Sequence, residues 1–218
     1  MSIIKCGLLC VPVYDEEAVD SVRRTLAALT PGVVVLADRY VASRRYQVEE
    51  ALRRWCDEEE LDLVLTVGGT LPAPGPGASE IVPEATLAVV ERLLPGLPEA
   101  MRAYAQDETP LALIDRSVAG IRGRTAIVNL PAGARAAALF LEAIAEVLAP
   151  IVAHLHEDPT APRLADVIHD GASEAATKRS RPESTATSAS FEPDASSTRH
   201  KLDPEEFAEY LRRRRSGE

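Results

Sequence analysis

The chain has 218 residues, 46% of them apolar, which suits one α/β domain with a sizeable core and an appendage. Its formal net charge is −10, with 21 acidic and 14 basic side chains in residues 1–156 and 13 acidic and 10 basic in residues 157–218. Nucleic acid and anionic membranes are held chiefly by clustered Lys and Arg, so an acidic body excludes both as general partners. A small phosphate-bearing ligand stays compatible, because backbone N–H groups and one or two Arg can hold it locally. Cys6, Cys10 and Cys56 are odd in number and lack metal-ligand spacing, which predicts free thiols in a reducing compartment. The opening "MSIIKCGLLCVPVYDEE" has the wrong flanks for a signal peptide, and no stretch approaches a membrane span, so the expected location is cytoplasmic.

"IIKCGLLCVPVY" reads as a buried first strand. Asp15 follows as an N-cap, with Glu16 and Glu17 in the first helical turn, where carboxylates favour the helix dipole. Val19, Val22, Leu26 and Leu29 mark one apolar helix face, and Pro31-Gly32 stops it. "VVVLAD" predicts a second buried strand. The next helix, over residues 45–58, places Val48, Ala51, Leu52 and Trp55 on one face, and "LDLVLTV" is a third strand. Pro83 suits the first position of a helix whose apolar face continues through Leu87, Val90 and Leu94 to Pro95-Gly96. "LPEAMRAYA" opens another helix. After "DRSVAGIRG" comes the strand "TAIVNL", then the tight junction "PAGAR", then one long apolar helix through Leu139, Ile144, Leu148 and Ile151.

Strands alternating with helices predict a three-layer α/β domain over residues 1–156, a mostly parallel sheet with helices on both faces and ligands at the carboxyl ends of strands. Residues 157–200 are rich in Ser, Thr, Ala, Pro and charge and nearly empty of large apolar side chains, the composition of a disordered linker. Residues 201–218 fit a short helix capped by Asp203, with Phe207, Tyr210 and Leu211 on one side, a candidate motif for a protein partner. The "RRRR" run at 212–215 follows acidic residues and reads as a solvated terminus.

The functional signal lies at two strand exits. Gly68-Gly69 lets the backbone turn without a Cβ clash, either as a plain tight turn or to admit a ligand closely. The second exit, Asn129 to Arg135, adds backbone amides and a helix N-terminus, and two such junctions suggest a ligand carrying phosphate.

"LDLVLTVGGT", "VPEAT", "LPGLPEAMR" and "DRSVAGIRGRTAIVNLP" together resemble the molybdopterin-binding domain of molybdenum cofactor biosynthesis, in particular its molybdopterin adenylyltransferase branch. The resemblance is specific from Leu61 to about Arg135. It implies an α/β fold, a homotrimer, and transfer of AMP from ATP with Mg²⁺ onto the phosphate of a dithiolene pterin. It also implies that Gly68, Gly69 and Thr70 form the glycine loop, and that Pro83, Glu84 and Thr86 form the helix start. Arg116 with Gly120 and Gly123 would form the middle motif. Asn129, Leu130 and Pro131 would form the last strand exit, with Gly133 and Arg135 beyond it. All of these except Gly120, Gly123 and Leu130 are the expected pterin-binding residues.

The chain departs from the family pattern at acidic positions. Leu71 stands where the glycine loop has a further Gly, and the loop "LPAPGPGASEIV" is longer than usual, with Ser79 and Glu80 where Arg and Asp belong. Glu80 is thus the candidate catalytic and metal-ligating carboxylate, its extra methylene moving the oxygens by about an ångström. Ser43, Arg44 and Arg45 stand where a second acidic pair is expected, and the last junction reads Ala132, Gly133, Ala134 and Arg135. Nucleotidyl transfer depends on positioned metal and electrostatic stabilisation, so two readings remain. One is a molybdopterin-binding protein with weak or lost adenylyl transfer. The other is an interaction protein that reuses the fold and recruits a partner through its tail. No phosphate-loop lysine or dinucleotide fingerprint supports another nucleotide enzyme.

Overall fold

In the computed structural model, which describes residues 3–72, 75 and 81–159, the chain begins with strand β1, Ile4–Cys10. Helix α1, Glu16–Leu29, starts where the sequence says it should: the Asp15 carboxylate accepts from the Ala18 N–H at 3.0 Å, and Val19, Val22 and Leu26 are buried. Strand β2, Val33–Tyr40, leads to helix α2, Arg45–Asp57, whose buried stripe is Val48, Leu52 and Trp55. Strand β3, Leu63–Val67, is buried throughout, and Pro83 lies in the first turn of helix α3, Val82–Val89. Strand β4, Arg92–Leu93, and helix α4, Gly96–Ala105, precede a 3₁₀ turn at Pro110–Ile114. Strands β5, Ala119–Arg122, and β6, Thr125–Leu130, lead to helices α5, Ala134–Glu142, and α6, Ala145–Leu155.

The six strands form one sheet in the order β2-β1-β3-β6-β5-β4. β2, β1, β3 and β6 run parallel, β5 returns antiparallel to β6, and the edge strand β4 pairs antiparallel with β5. Alternation along the central strands builds two cores. Leu63, Leu65 and Val67 of β3 and Ala126, Val128 and Leu130 of β6 face the layer holding α1, α4, α5 and α6. Val64 and Ile127 face Trp55, Leu52, Val82 and Val89 of the α2/α3 layer. Each large aliphatic side chain buried in these layers contributes roughly 1.5–3 kcal/mol, so the fold is held by both faces of the sheet rather than by one.

Four expectations are corrected. The second strand is not buried: β2 is an edge of the described sheet, and Val34 and Leu36 are exposed. The apolar face through Leu87, Val90 and Leu94 is not one helix, since α3 ends at Val89, Val90 is extended and Leu87 is exposed. Strands β4 and β5 emerge from stretches assigned to that helix and to the motif "DRSVAGIRG". The long C-terminal helix is two helices at 63°, broken at Ala143-Ile144. There the Thr30 hydroxyl donates to the Ala145 carbonyl at 3.2 Å, and the break brings Phe140 and Leu141 of α5 and Leu148 and Val152 of α6 into the same core. The linker from 160 onward and the C-terminal helix over 201–218 lie outside the described residues.

Candidate functional site

The parallel strands end side by side, and their hydrogen bonding continues one step beyond the ladder. The Val11 N–H donates to the Val67 carbonyl and the Gly68 N–H to the Leu130 carbonyl, each at 2.9 Å. This stitches the exits of β1, β3 and β6 into one edge carrying both glycine junctions.

Gly68 has φ +95°, and a Cβ built there would lie 2.2 Å from the Val11 carbonyl oxygen. Its bareness is therefore demanded by the neighbouring strand exit, and its N–H is already bonded. The Cβ side of Gly69 faces the Val82 side chain at 2.7 Å. Gly133, at φ +88°, is different: nothing lies within 4 Å of its Cβ position, and it precedes α5 with no side chain capping the first turn.

Thr70 closes the glycine loop and is buried. Its hydroxyl donates to Asp115 Oδ2 at 2.5 Å, and its carbonyl accepts from the Arg116 N–H at 3.1 Å. Asp115 Oδ1 accepts from the Ser117 N–H at 2.8 Å, and Arg102 reaches the Asp115 backbone carbonyl at 3.5 Å. The Arg116 guanidinium forms an ion pair with Glu84 Oε1 in the first turn of α3. Glu84 Oε2 and Ser117 Oγ are buried and have no hydrogen-bond partner. Among the described residues, these two atoms are the side-chain polar groups shielded from solvent without a hydrogen-bond partner.

Thr66 and Asn129 break the apolar pattern on the α3 face of the sheet. Asn129 donates to Thr66 Oγ1 at 3.0 Å and to Thr86 Oγ1 at 2.9 Å, and accepts from the Val118 N–H at 3.1 Å. All three side chains are fully buried. Asn129 and Thr86, read from sequence as ligand contacts, thus spend their polar atoms on holding β3, β6, α3 and the approach to β5 together.

The remaining expected residues are placed as follows. Pro83 and Pro131 are buried in the two junctions. Arg135 projects into solvent with its guanidinium 2.5 Å from Glu108. Arg45 is held by Glu49 at 2.7 Å on the outer side of α2, and Arg44 is the α2 N-cap residue with no side-chain cap bond. Glu80 lies outside the described residues, and among the described residues no three His, Cys, Asp or Glu side chains are grouped to hold a metal ion. Asp115 and Ser117 were not singled out from the sequence. Their only signal was an acidic residue inside the motif "DRSVAG", in a stretch read for its Arg and Gly.

Three cavities lie away from Thr70. One, of about 500 Å³, runs beside α2 over Leu9, Tyr40 and Trp55. Two others, of about 350 and 420 Å³, open at the opposite end of the sheet around Lys5, Asp62 and His156. Asp62, nearly buried, accepts from the Lys5 N–H at 2.7 Å and meets His156 Nε2 at 3.1 Å, which fastens the end of α6 to the start of β3. The three thiols are poor nucleophiles: burial pushes Cys6 up to about 12 and Cys56 up to about 11, and raises Cys10 as well.

A mostly parallel α/β sheet whose exits β3 and β6 carry two glycine junctions places the chain in the doubly wound class, whose ligands collect at the carboxyl ends of strands. Residues 11–154 match the model of a family described as the probable molybdopterin binding domain, and the chain belongs to that family. It is 35% identical over 132 residues to the molybdopterin adenylyltransferase of Helicobacter pylori strain J99, an alignment covering 61% of this chain and 73% of the relative. It is 29% identical over 160 residues to the molybdopterin adenylyltransferase of Escherichia coli K12, covering 71% and 80%. Among solved structures, the molybdopterin biosynthesis enzyme MoaB from Thermus thermophilus superposes with a TM-score of 0.65 at 35% identity, covering 72% of this chain and 99% of that one. The molybdopterin biosynthesis Mog protein from Mycobacterium ulcerans gives 0.61 at 28%, covering 71% and 99%.

Proposed function

We propose that this chain serves molybdenum cofactor biosynthesis by binding molybdopterin across the exits of β3 and β6, with adenylyl transfer from ATP weak or lost. The observation that carries the reading is the convergence on one sheet edge of Gly68–Thr70, Glu84, Arg116 and Gly133, with Glu84 Oε2 and Ser117 Oγ left unsatisfied. A carboxylate oxygen accepts the ring N–H groups that a pterin presents, and the uncapped start of α5 offers N–H groups to a phosphate. Family membership supports the same ligand.

The preference for binding over turnover follows from the acidic positions. Adenylyl transfer with Mg²⁺ needs carboxylates around the metal, and Ser43, Arg44 and Arg45 occupy one acidic site of the family pattern. Glu80 is the carboxylate that would restore a metal site. Incubating the purified chain with molybdopterin, ATP and Mg²⁺, then weighing the retained pterin and any product, tests the reading. Retained, unmodified pterin is the expected result; adenylylated pterin above the ATP-free control would make it an enzyme; no retained pterin would sink the binding reading.

Assembly as a homotrimer belongs to the same proposal. Leu111, Leu113 and Ile114 of the 3₁₀ turn are exposed together, and covering such a patch favours self-association. Light scattering on the full chain would give a trimer mass; a monomer at micromolar concentration would refute it.

A further inference from the structure

We propose that Asp115 is a specificity-determining residue that sets the polarity of the glycine loop, so that the loop receives an uncharged, donor-bearing ring and rejects phosphate. Both Asp115 oxygens accept hydrogen bonds, Oδ2 from the Thr70 hydroxyl at 2.5 Å and Oδ1 from the Ser117 N–H at 2.8 Å. The side chain is buried, which keeps its field from being screened as a surface charge would be.

Two cations beside Asp115 make contacts of their own. Arg102 touches the backbone carbonyl of Asp115, and the Arg116 guanidinium engages Glu84 on the α3 side. The charged group bonded directly to the Thr70 side chain is the Asp115 carboxylate. Two further observations point the same way. The Gly68 N–H, which an anion cradle would need, already donates to Leu130, and the Cβ side of Gly68 is filled by the Val11 carbonyl oxygen. The orphaned Ser117 Oγ, two residues along the extended segment from Asp115 and likewise buried, still has hydrogen-bonding capacity for a ring substituent. Thr70 contributes by what it has lost: its proton is committed to Asp115, so its oxygen can only accept.

The proposal deepens the molybdopterin reading by orienting the ligand, ring toward β3 and phosphate away from it, and it borrows from that reading only the identity of the ring. It can be tested without pterin. Full-length protein labelled with ¹⁵N is titrated with inorganic phosphate while the amides of Gly68, Gly69 and Thr70 are followed. Asp115→Asn removes the charge and keeps the bond from the Ser117 N–H, but its amide nitrogen can only donate to Thr70 Oγ1, which frees the Thr70 proton. Asp115→Asn/Thr70→Val, which lacks that freed donor, must gain phosphate binding as Asp115→Asn does. Thr70→Val alone breaks the Thr70–Asp115 hydrogen bond and leaves the charge in place.

In the parent chain and in Thr70→Val the loop amides stay unmoved, whereas in Asp115→Asn they shift saturably, with phosphate binding at least about tenfold tighter. Saturable shifts in the parent loop, no gain in Asp115→Asn, or an equal gain in Thr70→Val would each overturn the proposal, the last by showing that the hydrogen bond rather than the charge decides. If the parent chain fails to retain molybdopterin while the phosphate result stands, the functional reading falls and the role of Asp115 survives. If pterin binds but phosphate saturates the parent loop, the reverse holds.

Discussion

Asn129 donates to Thr86 Oγ1 at 2.9 Å across the interface between β6 and α3, and it is the only described residue bonding the side chains of both Thr66 and Thr86 while accepting the Val118 N–H. One amide thus joins the strand that leads to the glycine loop, the helix that carries Glu84 and the segment that carries Asp115. Replacing it with Ala leaves the Val118 N–H and two threonine hydroxyls to find new partners in a dry interior. The expected loss is about 2–4 kcal/mol, read as a lower midpoint in urea with an unchanged slope. Thr86→Val removes a single link and should cost about 1 kcal/mol; equal losses for the two variants would contradict the shared network.

The two glycine junctions should respond differently to an added methyl group. Gly68→Ala forces its Cβ against the Val11 carbonyl oxygen, a backbone atom that cannot swing aside, and should destabilise the chain by about 3 kcal/mol or more. Gly133→Ala meets open space and suffers only the strain of its positive φ, about 1–3 kcal/mol. Thermal melts of the two variants check the order, and a milder effect at Gly68 would mean that the strand exits are less closely stitched than described.

At the far side of the sheet, Arg122 of β5 forks onto Asp57 at the end of α2, with contacts of 2.6 to 3.1 Å. These hydrogen bonds hold the Asp57 carboxyl below its ordinary value of 3.8. A depressed folded value means the contribution is fully present above that ordinary value and is lost as pH falls through the lower, folded one. The pair is largely solvent-exposed, so its worth is under about 1 kcal/mol. Asp57→Asn should be less stable than the parent at neutral pH and indistinguishable from it once pH has fallen below the folded value, as measured by denaturation midpoints across that range.

The thiols give a test of the core. With burial holding Cys6 near 12 and Cys56 near 11, a thiol reagent at pH 8 should label the native chain slowly and the unfolded chain at all three cysteines. Rapid native labelling of Cys6, which faces from β1 into the core shared with α1, would argue against the described packing.

Much of the architecture was legible in the sequence because its signals are local. The Asp15 cap, the stripe Val48, Leu52 and Trp55, and the proline opening α3 act within one or two helical turns, where spacing alone decides which face is buried. The continuous apolar runs of β3 and β6 likewise announce strands covered on both sides. Shorter signals failed. β4 has two residues and β5 has four; β5 pairs antiparallel with β6 and β4 with β5, and the β4–β5 pairing joins residues about 28 apart, beyond any short window.

What only the tertiary structure decided is which neighbour each residue meets. The sequence marked Gly68 and Gly69 as bare but could not say that the Val11 carbonyl and Val82 fill the space, because those contacts form between separate strand and helix ends. It placed Thr70 and Asp115 in different motifs 45 residues apart, and sheet order brought them into one hydrogen bond. It placed Asn129 at a strand exit, and pleating turned its amide onto Thr66 and Thr86, two residues from separate segments. Local spacing determined most of the elements and the family resemblance pointed to the ligand, whereas the order of the strands decided that the two glycine junctions share one sheet edge, because strand pairing is set by contacts far apart in the chain.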